Sequence, residues 1–158
     1  MGAVHPRVLG WLGRALSLEL SAVQQYMTQA SLMELWGDLD AAARFRQDTV
    51  EEMRHAEAIV QRMLALGVAP ASSQLRPVAH AGDLVGLLRH DLRLEADLIA
   101  LYADAVRFCV LIGDSDNRTL FSGLLDDEQQ HVRDLESWLL HLDASSASTH
   151  DARARATF

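Results

Sequence analysis

The chain has 158 residues, 49% of them hydrophobic, 23% charged and 6% aromatic, enough for one domain with a sizeable core and a balance that suits helices better than a β-sandwich. A formal net charge of −8 argues against nucleic acid as a partner and for cations. The single cysteine, Cys109, excludes an intrachain disulfide and suits a reducing cytosol.

The first apolar stretch, VLGWLGRALSLEL, is interrupted by Arg14 and Glu19. No small-residue cleavage site follows, and the run falls short of the roughly 18 apolar residues that a membrane span needs. It reads as the first turns of a helix in a cytoplasmic protein with no membrane partner. From Leu12 the inward positions step by fours and threes through Leu16, Glu19, Val23, Tyr26, Ala30 and Met33, and the helix ends near Trp36-Gly37-Asp38. A second seam runs Phe45, Asp48, Glu52, His55, Ile59 and on to Leu66, with Gly67 as its stop. Residues 68–82 hold Pro70, Pro77, Ser72 and Ser73 and read as a long crossover. Asp83 can cap a third helix with the seam Leu84, Leu88, Asp91, Glu95, Leu98, Tyr102, Ala105, Cys109 and Ile112. A tight turn, Gly113-Asp114-Ser115-Asp116, leads to a fourth, with Phe121, Leu124, Glu128, His131, Leu135, Trp138 and Leu142 in register.

Two helical hairpins joined by one long connection make an all-α four-helix bundle of ferritin-like topology over residues 1–143. The Ala/Ser/Arg-rich stretch 144–158 is expected to be a tail, either a short fifth helix or disordered, with disorder favoured.

Each seam carries a glutamate where leucine is expected. A lone buried carboxylate costs several kcal/mol unless it is neutralised or paired, so four in one core demand compensation. Glu52-x-x-His55 and Glu128-x-x-His131 are the two Glu-x-x-His sequences in the chain, and a spacing of three points both side chains of each pair the same way. Random placement of the chain's Glu and His gives roughly 0.35 such pairs. Adding 76 to Glu19, Glu52 and His55 gives Glu95, Glu128 and His131, and adding 76 to Tyr26 gives Tyr102, the repeat that a pseudo-twofold site requires. Four carboxylates balance two divalent cations, with neutral imidazoles completing the shells. Oxygen and nitrogen donors without thiolate suit iron, manganese or zinc and argue against copper(I) and iron–sulfur clusters. The donor set resembles that of the di-iron carboxylate bundles.

The segments LSLELSAVQQY, VEEMRHAE, HDLRLEADLIALY and DDEQQHVRDLE resemble the helix signatures of the bacterioferritins, with VEEMRHAE the most specific and the likeness running from about Arg7 to Leu142. The resemblance implies a ferroxidase that oxidises Fe2+ with O2 or H2O2 at two iron ions per subunit and stores ferric mineral inside a 24-subunit homo-oligomeric shell built from dimers. It implies iron ligation by Glu19, Glu52, His55, Glu95, Glu128 and His131, with Glu52 and Glu128 bridging, and a ferredoxin-type electron donor for iron release. Tyr26, seven residues beyond Glu19, is then a one-electron donor or a hydrogen-bond partner of a ligand. A core tyrosine satisfied by a buried carboxylate is the plainer alternative. Asp91, one turn before Glu95, is expected to orient a ligand histidine. Met53 projects about 100° away from the metal seam, in an outer apolar strip with Leu20, Met27, Val50 and Val60. The matching methionine in the family ligates a b-type haem shared between two subunits, a role open to a thioether, although methionines more often simply fill contacts.

Some positions depart from the family pattern. Gln47 and Glu51 stand where some members carry a histidine and an aspartate for ferrying iron, and the tail lacks the apolar residues of the family's fifth helix. His5, His80, His90, His141 and His150 fit no ligand geometry and read mostly as surface residues. Rival functions are a di-iron or di-manganese oxidase or peroxide-detoxifying bundle without mineral storage, and a metal-free helical interaction module. The rubrerythrin variant of the first needs two Cys-x-x-Cys pairs, which a single cysteine excludes.

Overall fold

The computed structural model describes residues 4–155, with side chains over residues 4–147. Four helices follow one another, α1 (Pro6–Trp36), α2 (Leu39–Ala65), α3 (Leu84–Ile112) and α4 (Ser115–Arg155), and among the described residues there is no strand. Helix α1 packs on α2 and on α3, and α3 packs on α4. This is the all-α bundle that the seams predict.

Local chemistry sets the boundaries. His5 caps α1, its Nδ1 accepting from Arg7 N, and Pro6 opens the helix, where a missing N–H costs nothing. Gly37 ends α1 at φ 84° and Gly113 ends α3 at φ 72°, the left-handed conformation that closes a helix most cheaply in glycine. Asp38 accepts from Ala41 N to start α2, Asp83 from Gly86 N to start α3, and Asp114 from Asn117 N at the head of α4. The crossover lies along α1, where Ser17, Ser21 and Gln25, at four-residue intervals, accept from the backbone N–H groups of Gln74, Arg76 and Ala79. Arg76 also pairs with Asp97 of α3 at 2.5 Å.

Helix α4 continues through residue 144 as far as Arg155. Over that range the tail is an extension of α4, neither disordered nor a separate fifth helix. The physical reason is in its composition: residues 142–155 contain no glycine or proline to stop a helix, and Ala144, Ala147, Ala152 and Ala154 favour one. Residues 156–158 lie outside the described residues.

The core is two apolar clusters with a polar layer between them. One gathers Leu12, Leu16, Ile59, Leu98, Tyr102 and Phe121, the other Tyr26, Met33, Phe45, Leu88, Leu135 and Trp138. On every helix the seam glutamate falls between a residue of one cluster and a residue of the other. Cys109 is buried and free in the first cluster. No described helix is long and apolar enough to cross a membrane.

Candidate metal centre

Glu19, Glu52, Glu95 and Glu128, one from each helix, are all 0% exposed. His55 and His131 stand one turn beyond the glutamates of α2 and α4. Each turns Nδ1 inward, into a triangle of carboxylates. The Nδ1 atom of His55 lies 3.0 Å from Glu128 Oε1, 3.2 Å from Glu52 Oε2 and 3.7 Å from Glu19 Oε2. That of His131 lies 3.0 Å from Glu52 Oε1, 3.3 Å from Glu95 Oε1 and 3.9 Å from Glu128 Oε2. Glu19, Glu52, His55 and Glu128 thus offer ligand atoms within 4.8 Å of one another, and so do Glu52, Glu95, Glu128 and His131. The two groups share Glu52 and Glu128.

The layer is electrostatically costly by itself. Burial, above all, pushes the Glu19 carboxyl up to about 8, with the Glu52 charge adding to the rise. Burial likewise raises Glu95 to about 7, helped by Glu128, and raises Glu52, helped by Glu95 and Glu128. Burial pulls the imidazoles down, but the carboxylates around them outweigh it: Glu128, Glu19 and Glu52 raise His55, and Asp48, Glu128, Glu52 and Glu95 raise His131. Even so, Glu19 Oε2, Glu52 Oε1, Glu95 Oε2 and both oxygens of Glu128 are buried and accept no hydrogen bond. Orphaned carboxylate oxygens facing two inward Nδ1 atoms suit a pair of hard or borderline divalent cations.

The partners that hold these ligands were only partly visible in the sequence. Tyr26 donates to Glu95 Oε1 at 2.5 Å, so it reaches across from α1 to α3. Tyr102 donates to Glu19 Oε1 in the opposite sense. The outward Nε2 of His55 faces Asp127 Oδ2 at 3.4 Å, and that of His131 faces Asp48 Oδ1, also at 3.4 Å. The acids placed to orient the histidines by charge are therefore Asp48 and Asp127, although His131 Nε2 makes no hydrogen bond. Asp91 does not take that role: its Oδ1 accepts from the side-chain amides of Gln25 at 2.6 Å and Gln29 at 2.7 Å. Asp91 sits on α3 against α1, whereas both histidines are on α2 and α4. Asp48 was legible as an acid in the α2 seam. Asp127, with its side chain 66% exposed, carried no signal beyond standing next to Glu128.

One side of the layer is open. A cavity of about 370 Å³ between α2 and α4 is lined by Glu51, Arg54, His55, Asp127, Gln130, His131 and Asp134. Away from the layer, Met53 is 55% exposed, Met27 53% and Val50 47%. His5, His80 and His141 are exposed and His90 is half-buried; His90 Nε2 lies 2.9 Å from His80 O, and the side chain of His150 is outside the described residues.

A family model described as the ferritin-like domain matches residues 11–144. The bacterioferritin of Rhodobacter capsulatus is 35% identical over 131 residues, which are 83% of this chain and 81% of that protein. That of Brucella melitensis is 34% identical over 135 residues, 85% of this chain and 84% of its own. The chain belongs to the bacterioferritin family. Solved bacterioferritins agree in shape: the Rhodobacter capsulatus structure aligns at a TM-score of 0.86 and 33% identity over 90% of this chain and 89% of that one. Mycobacterium tuberculosis bacterioferritin BfrA aligns at 0.88 and 28% identity over 96% of each. The Rhodobacter capsulatus protein is described as having a metal-free dinuclear site and haem iron in a crystallographic special position. Bacterioferritin membership supports a role in iron storage.

Proposed function

We propose that this bacterioferritin oxidises Fe2+ with O2 or H2O2 at an intrasubunit di-iron centre and stores the ferric product in a cytoplasmic 24-subunit shell built from dimers. The observation that carries this reading is the sharing of Glu52 and Glu128 by both ligand groups. Glu52 and Glu128 would each serve both cation positions. Glu19 and His55 then complete one shell, and Glu95 and His131 the other. Two ferrous ions held side by side deliver two electrons to one oxidant together and avoid the one-electron product superoxide.

The chain's own side chains do the rest. Four carboxylates neutralise the charge of two dications, Asp48 and Asp127 face the outward nitrogens of the two imidazoles, and Tyr26 fixes Glu95. The cavity between α2 and α4 gives Fe2+ a route to the histidine side of the layer, past Glu51, Asp127 and Asp134. Elsewhere on α1 and α2 the exposed thioether of Met53, with exposed Val50 and Met27, suits an apolar group held between two copies. Met53 from each copy would hold that b-type haem through its thioether, and the haem would supply electron transfer from a ferredoxin-type donor to stored iron.

Stopped-flow mixing of the metal-free protein with Fe2+ and oxidant, with particle mass measured by light scattering, tests the function. Rapid ferric formation in a particle of about 24 chains supports it; rapid oxidation by a small oligomer that holds no mineral favours a soluble oxidase instead. Loss of the Soret band in Met53→Leu, with iron oxidation retained, supports the haem assignment, and persistence of the band removes Met53 from it.

A further inference from the structure

The 76-residue repeat that relates Glu19 to Glu95 also relates Tyr26 to Tyr102, and the fold crosses the pairs over. Tyr26 of α1 donates to Glu95 of α3, and Tyr102 of α3 donates to Glu19 of α1. Both phenols are 0% exposed. Glu19 belongs to one ligand group and Glu95 to the other, so each group has one unshared carboxylate and each of those carboxylates has its own tyrosine. Packing alone does not call for this. Tyr102 lies in an apolar cluster with Leu98, Ala105 and Phe121, where leucine or phenylalanine fills space without a hydroxyl that needs a partner.

Electron counting gives the second tyrosine a purpose. Reduction of O2 to two waters takes four electrons, and two ferrous ions supply two. We infer that Tyr102 is a second one-electron donor in the reaction with O2, acting beside Tyr26; the inference rests on the ferroxidase reading. In this step the Tyr102 Oη–H bond breaks, the proton moves along the existing hydrogen bond to Glu19 Oε1, and the electron goes to the dioxygen under reduction. The balance is O2 + 2 Fe2+ + 2 tyrosine + 2 H+ → 2 H2O + 2 Fe3+ + 2 tyrosyl radicals. Further Fe2+ returns each radical to tyrosine. Hydrogen peroxide needs two electrons only, so iron suffices and neither tyrosine is oxidised.

The test mixes anaerobic protein carrying two Fe2+ per chain with O2, freezes it within milliseconds and counts tyrosyl radicals by electron paramagnetic resonance. Ring-deuterated tyrosine identifies the signal, and ferric iron and released H2O2 are assayed in the same samples. The tyrosyl yield per ferric pair should halve in Tyr102→Phe and in Tyr26→Phe. In the double variant it should vanish, with about one H2O2 released per O2 consumed. With H2O2 as oxidant no chain should give a radical. Fluorotyrosine at position 102, which keeps the hydroxyl, guards against a misfolded phenylalanine variant: part of the wild-type signal should change its hyperfine pattern. Ferric formation with a tyrosyl yield unchanged in Tyr102→Phe, or with no tyrosyl signal in the wild type, overturns the inference and leaves the ferroxidase reading standing. Failure of the wild type to oxidise Fe2+ removes that reading and the donor role with it.

Discussion

The two sides of the polar layer are built differently although the sequence repeat makes them look alike. On the α1/α3 side Glu19 and Glu95 are fully buried, and each is held by a tyrosine from the other helix. On the α2/α4 side the histidines are 13% and 8% exposed, both line an open cavity, and they face Asp127 and Asp48. Water and cations therefore have a way in on this side. The dry side sets ligand pose with neutral phenols, which are themselves hard to ionise there: burial first, and then the neighbouring carboxylates, push both tyrosines well above their ordinary range. A dinuclear site needs both kinds of wall, one that holds and one that admits.

Substitutions that touch both sides should have the largest effect. Glu128→Ala removes a ligand from both groups at once, so rapid Fe2+ oxidation followed by stopped-flow absorbance should be largely abolished, a loss beyond the roughly 10–100-fold that follows removal of an outer partner. Retention of the wild-type rate would refute the shared-carboxylate geometry.

Acidity comes next, and its sign differs between the two states of the protein. Glu19 and Glu95 have folded values of about 8 and about 7 against an ordinary 4.5, and both histidines are also raised. The folded metal-free layer thus holds protons that the unfolded chain has lost. Its contribution to stability is complete below about pH 4.5 and is lost as pH rises through about 7 and then about 8. Cations must displace those protons, so metal affinity should rise over the same window. Thermal melts with and without Mn2+ should therefore diverge as pH increases from 5 to 8; parallel curves would mean that metal does not enter the layer.

Two further changes separate the open side from the dry one. Asp127→Ala and Asp48→Ala each remove the acid that faces one imidazole, and metal affinity should fall by roughly 10–100-fold in each, as measured by competition with a chelator. Asp91→Ala should leave two metals per chain but strand the amides of Gln25 and Gln29, at a cost of about 1–3 kcal/mol for each buried group left unpaired, read by urea unfolding.

The six candidate ligands, which the fold brings together in one buried layer, are the part of the molecule most legible in the amino-acid sequence. Seam positions name the core because period 3.6 has one inward face, and a glutamate on that face has no apolar excuse. Glu19, Glu52, Glu95, Glu128 and the two histidines all follow from that periodicity. The crossed tyrosine pairing does not, because same-helix spacing suggests that Tyr26 serves Glu19, whereas the side chain spans to α3. Nor does Asp127, whose position one residue before Glu128 points off the seam, where its partner depends on how closely α2 approaches α4. Asp91 misled for the same reason: a buried acid one turn from a ligand serves whichever helix it faces, and it faces the amides of α1. The length of α4 was missed because a polar Ala/Ser stretch has weak periodicity and yet no helix breaker.

Anomalous diffraction from crystals loaded anaerobically with Fe2+ would locate the cations themselves. Two iron peaks per chain are expected, one beside His55 and Glu19 and one beside His131 and Glu95, both against Glu52 and Glu128. A single peak, or iron bound only outside those six side chains, would contradict the shared dinuclear site.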